Sequence, residues 1–311
     1  MVDNAAIVVD SGSWEMKAGF GGDDSPRARF PCVVAAPQLP HRLETYVGDE
    51  AVSGLAGCGR PLLYPIQAGG LITDFDAMES VWHHTFHNEL RTDPSSHNVL
   101  LSEPVFNPEA DRDKTAQIMF ETFGTPNLHL AIQATLSLYA SGRCTGVVVD
   151  SGHFATTAIP ILNGWCLYPA VRRSNFAGRD LTAQMVRVLA ERGLGGNQGE
   201  LASDIKENLC FVAADYEQEM AGAAAPGTLY ELPDGSTIDV GLACFQCPEC
   251  LLDPSLLLAA AAGAAAEEEE HSAGPVSVGI HTLAHASIMA ACDHETFAAP
   301  LGQRHLVDDM T

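Results

Sequence analysis

The chain has 311 residues, 46% of them hydrophobic and 18% charged, and its 16 basic against 40 acidic side chains give a formal charge of −24. That length is enough for a large core and for two domains. Acidity of this strength repels a phosphate backbone and an anionic lipid surface, which excludes non-specific nucleic-acid binding and electrostatic docking on membranes.

In chain order, the opening stretch Met1 to Ala6 has no basic region, and Ile7 to Val9 is too short for a signal core. The next feature is a repeat. Ile7-Val8-Val9-Asp10-Ser11-Gly12 returns as Val147-Val148-Val149-Asp150-Ser151-Gly152. Each copy is a β-branched run ending in Asp-Ser-Gly, and each is followed by a second β-prone stretch, Trp14 to Phe20 and Thr156 to Leu162. The pattern predicts strand, carboxylate, glycine turn and strand, used twice, as in a duplicated pair of domains. An Asp at a strand end suits a hydrated divalent cation. The glycine lets backbone N–H groups approach phosphate oxygens, and Ser13 and Lys17 add donors. Either hairpin alone reads as ordinary turn chemistry; the pair reads as phosphate binding.

Pro108 to Phe123, Leu181 to Arg192 and Ser203 to Met220 read as helices. His83 and His87 sit one helical turn apart with His84 beside them, and read as a solvated or packed face rather than a metal site. Cys244, Cys247 and Cys250 have metal-ligand spacing, with His271 or Cys210 as distant fourth ligands, but a metal site is the lesser reading. Tyr139, Trp165 and Tyr168 divide evenly between a partner-docking surface and core or rim packing. The longest apolar run, Leu256 to Ala266, is mostly alanine, leads into Glu267 to Glu270, and reads as a solvated helix or disorder. No run reaches membrane-spanning length, so no membrane insertion is expected. The nine cysteines read as reduced thiols of the cytosol or nucleus.

Longer motifs carry a resemblance. Lys17-Ala-Gly-Phe-Gly-Gly-Asp-Asp-Ser-Pro-Arg-Ala-Arg-Phe-Pro, Tyr46-Val-Gly-Asp-Glu-Ala, Trp82-His-His-Thr-Phe, Ala131-Ile-Gln-Ala-Thr-Leu-Ser-Leu-Tyr, Ala177-Gly-Arg-Asp-Leu-Thr and Asp204-Ile-Lys-Glu-Asn-Leu-Cys resemble segments of actin and the actin-related proteins, in order, over nearly all of residues 5 to 250. The resemblance implies an α/β fold of duplicated actin-like ATPase domains, ribonuclease H-like, around a nucleotide cleft, each with a smaller insertion. The boundaries it implies are 1–141 with an insertion at 32–64, and 142–311 with an insertion at 177–274, the second domain incomplete at its C-terminus. It implies ATP or ADP with Mg or Ca as ligand. Asp10, Gly12, Ser13, Lys17, Asp150 and Gly152 would hold phosphate and cation, the metal reached by Asp10 and Asp150 through water. Gly178, Asp180, Lys206 and Glu207 would border base and ribose, and Gln133 with Asp150 would serve any hydrolysis.

The sequence also departs from the family. Trp14 replaces a glycine of the first turn, and His153-Phe154 replaces Asp-Gly in the second, where a strained φ > 0 is expected. Thr157 stands for a histidine of the water-placing network. His294 to Thr311 does not resemble actin, the loop between Phe30 and Tyr46 is short, and the Glu267 to Glu270 cluster disfavours self-assembly. The expected function is an ATP-binding structural component of a cytoskeletal or other multiprotein assembly, cytoplasmic with the nucleus left open, hydrolysing ATP weakly or not at all and polymerising poorly. Its partners would be proteins of an actin-containing or actin-related assembly, with no direct nucleic acid. The alternatives are a pseudo-ATPase scaffold that binds no nucleotide and, last, a small-molecule kinase of the wider superfold.

Overall fold

The computed structural model describes residues 5–35, 45–53, 62–191, 199–222, 228–232, 235–256 and 278–293. The alanine–glutamate tract, His271, the 294–311 segment and most of the loop before Tyr46 lie outside them.

Strand β1 (Ile7–Ser11) alternates buried Ile7 and Val9 with half-buried Val8 and Asp10, the period of two that a strand with one covered face requires. It turns back through Gly12 to Trp14 into β2 (Glu15–Phe20), and β3 (Ala28–Pro31) extends the meander. Strands β4 (Val34–Ala35), β5 (Tyr46–Val47) and β6 (Leu62–Leu63) form a small sheet in the order β5-β4-β6 beside helix α1 (Asp49–Ser53). Strands β7 (Ile66–Gln67) and β8 (Leu71–Ile72) pair with each other.

Helix α2 (Phe75–His83) starts where the Asp74 carboxylate accepts from the Ala77 N–H at 2.9 Å, a side-chain cap on an otherwise orphaned donor. It runs into a π-helical turn at His84–Glu89. Strand β9 (Val99–Glu103) follows, then α3 (Glu109–Gln117), β10 (Leu128–Ile132) and α4 (Gln133–Ala140). The helix predicted over Pro108 to Phe123 is continuous, but its last turn, Ile118–Thr122, widens so that Phe123 N–H bonds Ile118 O at 3.2 Å. The wider turn keeps Ile118, Met119 and Phe123 on the core together, with the Phe123 ring edge-on to Phe86 at 5.1 Å.

The main sheet has the order β10-β9-β1-β2-β3, with β1, β9 and β10 parallel and β2 and β3 antiparallel. Ile7, Met16, Phe86, Leu101 and Met119 are fully buried against it, each contributing about 1.5–3 kcal/mol of hydrophobic stabilisation.

A second sheet contains β11 (Gly146–Ser151), β12 (Thr156–Leu162) and β13 (Trp165–Cys166), in that order, with β14 (Arg172–Ser174) also on β12. Helix α5 (Gly178–Glu191) buries Leu181, Met185 and Leu189, a stripe at i, i+4 and i+8. That stripe packs with Ala202 and Ile205 of α6 (Gly199–Leu209). The predicted single helix over Ser203 to Met220 is broken. Helix α6 ends at Leu209, and α7 (Tyr216–Ala221) starts afresh under the cap of Asp215, whose carboxylate accepts from Gln218 N–H at 3.0 Å. Between them Phe211 N–H bonds the Cys244 carbonyl at 3.0 Å, so a tertiary bond replaces the helical one.

Strands β15 (Leu229–Glu231) and β16 (Thr237–Asp239) form a hairpin before α8 (Ala243–Glu249). Helix α9 (Ile280–Cys292) buries Leu283, Ser287 and Ala291, and the Ser287 hydroxyl reaches the carbonyls of Ala158 and Ala170 at 3.1 and 2.9 Å. By contact density the chain forms two compact units, 1–148 with 161–166, and 149–160 with 167–311. No helix of the described residues is long and apolar enough to cross a membrane.

Candidate functional site

In the first unit, β1, β9 and β10 are parallel, so their carboxyl ends emerge along one edge of the sheet. The register brings Asp10, Ser102 and Gln133 together there. The Ser102 hydroxyl donates to Asp10 Oδ1 at 2.6 Å, and Gln133 Nε2 donates to the same oxygen at 3.1 Å. Ser102 Oγ in turn accepts from Ser11 N–H at 3.0 Å and lies 3.4 Å from Gln133 Nε2. Both donors aim at Oδ1, and Oδ2 carries no hydrogen bond from the described residues. Behind the turn, buried Trp82 directs its indole N–H to Ser11 Oγ at 3.4 Å.

Gly12 has no room for a side chain, because an added Cβ would stand 2.5 Å from the Glu15 carbonyl oxygen. Ser13 makes no side-chain hydrogen bond with the described residues. Lys17, opposite Asp10 in the β1–β2 register, pairs with Glu15 at 3.6 Å, and Arg29 clamps that Glu15 at 2.9 and 3.2 Å. Trp14 is 43% exposed.

In the second unit, Asp150 lies at the exposed end of β11. Gly152 is committed to the turn on both sides: its N–H donates to Ala155 O and its carbonyl accepts from Gly178 N–H, each at 2.9 Å. The next carbonyl, of His153, accepts from Arg179 N–H at 2.9 Å, so the turn seats the start of α5. Close approach requires Gly178 as well, since a Cβ there would meet Gly152 O at 3.0 Å. Asp180 Oδ2 accepts from Ala177 N–H at 3.0 Å and caps the helix. Lys206 Nζ bonds Thr182 Oγ1 at 2.9 Å and Gly178 O at 3.4 Å, and lies 3.8 Å from Glu207. Glu207 also accepts from Ser203 Oγ at 2.9 Å. Gly178, Asp180, Lys206 and Glu207 therefore gather where α5 begins, while Thr157 stands in β12 opposite Arg173.

His153 and Phe154 do not impose the strain expected of them. Among the described residues the non-glycine positions of positive φ are Arg91, Phe106 and Asn163, so the second turn needs no left-handed residue at Phe154. The side chains stack instead. His153 sits edge-on to Phe154 at 4.7 Å, and the Arg179 guanidinium lies 5.0 Å from the Phe154 ring centre. Burial, then the charges of Lys206 and Arg179, push the His153 imidazole down to about 4, so it is neutral at physiological pH.

Among the described residues no group of three or more His, Cys, Asp or Glu side chains is placed to hold a metal ion. Cys244, Cys247 and Cys250 are buried in the core of the second unit. Of the histidines, His84 is buried between Asn88 at 3.0 Å and Glu89 at 3.3 Å, whereas exposed His83 and His87 stack at 4.5 Å. Tyr139, Trp165 and Tyr168 are all exposed, Trp165 by 79%.

Ser102 and Trp82 were not anticipated as parts of the first turn. The signal for Ser102 was present: Val99-Leu100-Leu101 reads as a buried strand, and Ser102 stands at its carboxyl end.

The sheets and the helices packed on them make a mixed α/β protein. The family model for Actin matches residues 1–197 and 195–299, and the chain belongs to the actin family.

Proposed function

We propose that this protein is an actin-related protein that binds an adenine nucleotide with magnesium or calcium and serves as a structural component of a cytoplasmic, cytoskeletal or related multiprotein assembly. On this reading it hydrolyses ATP weakly or not at all and polymerises poorly, and its two Asp-Ser-Gly turns belong to duplicated domains. The observation that carries the reading is the Asp10 cluster. Two neutral donors fix Oδ1 and leave Oδ2 to accept from the water shell of a divalent cation. Gly12 keeps the adjacent backbone bare for phosphate oxygens.

A bound metal–nucleotide would supply the phosphoanhydride and the charge that polarises it. The residues present do the holding. Asp10 orients the cation's water, Ser13 offers a hydroxyl, and Lys17, tethered to Glu15, offers a charge that a phosphate would have to draw away. Lys206, held by Thr182 and Gly178, would border the ribose. The Gln133 amide nitrogen is committed to Asp10, which leaves its carbonyl oxygen to accept from a water. Thr157, in place of an imidazole, takes no proton near neutral pH, which supports slow hydrolysis.

The scaffold alternative draws on the second turn. Gly152 spends its N–H on Ala155, and the His153–Phe154–Arg179 stack replaces a carboxylate with a neutral ring. Thermal melts of the full chain with and without Mg-ATP separate the two. A ligand held by the folded state alone at a hundredfold excess over Kd adds about 2.7 kcal/mol. Nucleotide binding predicts an upward shift that Asp10→Ala removes; a cooperative melt with no shift leaves the scaffold.

A further inference from the structure

His83 closes α2, and His87 lies four residues on, in the π-helical turn that follows, so their side chains leave the same face. Trp82 and Phe86, their neighbours in the chain, are buried and fix this backbone on the core, while both imidazoles face solvent. The two ring centres are 4.5 Å apart, with the planes tilted by 53°. Buried His84, between them, has its ring nitrogens taken up by Asn88 at 3.0 Å and Glu89 at 3.3 Å. His83 and His87 differ: no ring nitrogen of either is hydrogen-bonded or ion-paired to a described residue. In the sequence their spacing reads as a solvated or packed face, and the ring geometry adds what spacing lacks.

That geometry matches a chelate. With metal–nitrogen bonds of about 2.0–2.1 Å, each imidazole centre lies about 3.2 Å from the ion, so two rings at a right angle about it are about 4.5 Å apart and two at the tetrahedral angle about 5.2 Å. The observed 4.5 Å is the right-angled separation. Right angles between nitrogen ligands belong to the tetragonal geometry of nickel(II) and copper(II) rather than to tetrahedral zinc. Exposed rings turn freely about their side-chain bonds, so aiming one nitrogen of each at a shared ion needs no backbone movement. The surroundings are anionic. His83 opens on a cavity of about 460 Å³ lined also by Asp76 and Glu79, and neither carboxylate is ion-paired to a described residue. Their charge raises the local concentration of cations.

We propose that His83 and His87 form a solvent-accessible chelate for nickel(II) or copper(II), with water in the remaining positions of the ion and Asp76 and Glu79 as its anionic surroundings. Imidazole is the commonest ligand for such ions, and the buried flanks of this segment hold the pair in place before the ion arrives. Neither histidine belongs to the Asp10 turn, so the site stands or falls apart from nucleotide binding.

The test titrates the reduced full chain with nickel(II) chloride, without nucleotide, by isothermal calorimetry. The expected result is saturable binding of one ion per chain. His83→Ala and His87→Ala should each weaken it at least tenfold, since losing even an outer partner of a metal ligand costs about 10–100-fold. His281→Ala, in the exposed pair His281 and His285 on α9, should leave it unchanged. In the unmutated chain, nickel(II) should protect His83 and His87 from diethyl pyrocarbonate, read by peptide mass mapping, and leave His281 and His285 reactive. No saturable binding, binding unchanged in the His83 and His87 variants, or protection of His281 and His285 in place of His83 and His87 overturns the proposal; the mapping decides without reference to whether any variant folds.

Discussion

Replacing Ser102 by Ala tests the organisation of the first turn. The hydroxyl makes a short bond to the Asp10 carboxylate at 2.6 Å and accepts from Ser11 N–H at 3.0 Å. A hydrogen bond to a charged group contributes about 1.5–3 kcal/mol, and a backbone N–H left without a partner costs about 1–3 kcal/mol when buried. Ser11 is half-buried, so its contribution belongs at the lower end. The expected loss is about 3 kcal/mol, read as a lower urea midpoint at constant m. Ser137→Ala, which removes an exposed hydroxyl bonded to the Gln133 carbonyl, should cost under about 0.5 kcal/mol. Combining Ser102→Ala with Asp10→Ala should recover about 1 kcal/mol or more as coupling, because each change alone removes the same bond. A Ser102→Ala loss no larger than that of Ser137→Ala, or strict additivity with Asp10→Ala, would refute the claim that Ser102 anchors the carboxylate.

Gly12→Ala drives a Cβ to 2.5 Å from the Glu15 carbonyl, so the β1–β2 turn must shift; urea unfolding should show a loss of about 1–3 kcal/mol, and an unchanged midpoint would mean the turn opens freely. His153 gives a pH signature. Its folded value is held at about 4 by burial, then by Lys206 and Arg179, against about 6.5 unfolded. The unfolded chain therefore binds the extra proton between those values. The stability this histidine contributes is complete above about 6.5 and is lost as the pH falls toward about 4. Allowing for its solvent-facing part, the loss is about 1–2 kcal/mol. His153→Gln should flatten that part of the stability–pH curve, and identical curves for the two proteins would contradict the assignment.

The residues show which parts of this architecture are local. Ile7-Val8-Val9-Asp10-Ser11-Gly12 and its echo at Val147 to Gly152 carry the β-branched run and glycine of a strand and turn in a few consecutive side chains, and both form strands. Helix α5 was legible from Leu181 on, because Leu181, Met185 and Leu189 repeat at helical spacing, but its first turn, from Gly178 to Asp180, was not, and the expected end at Arg192 lies outside the described residues. The break after Leu209 was not, since it depends on a bond from Phe211 to a carbonyl far along the chain. Asp215 with Gln218 is nevertheless a local start signal inside the run that was read as one helix. Ser102 was hidden for a similar reason. Its partner Asp10 is distant in sequence, and only the parallel β1–β9 register joins them. Strain at Phe154 was inferred by analogy with a glycine turn, whereas this chain builds that turn without positive φ and fills it with stacked rings.

The most direct test of the central claim is isothermal titration of the full chain with Mg-ATP, run beside Asp10→Asn. Saturable binding with one nucleotide per chain, lost or strongly weakened in the variant, is the predicted result. No binding at millimolar nucleotide, or binding equal in the two proteins, would contradict the assignment of Asp10 and its turn as the nucleotide site.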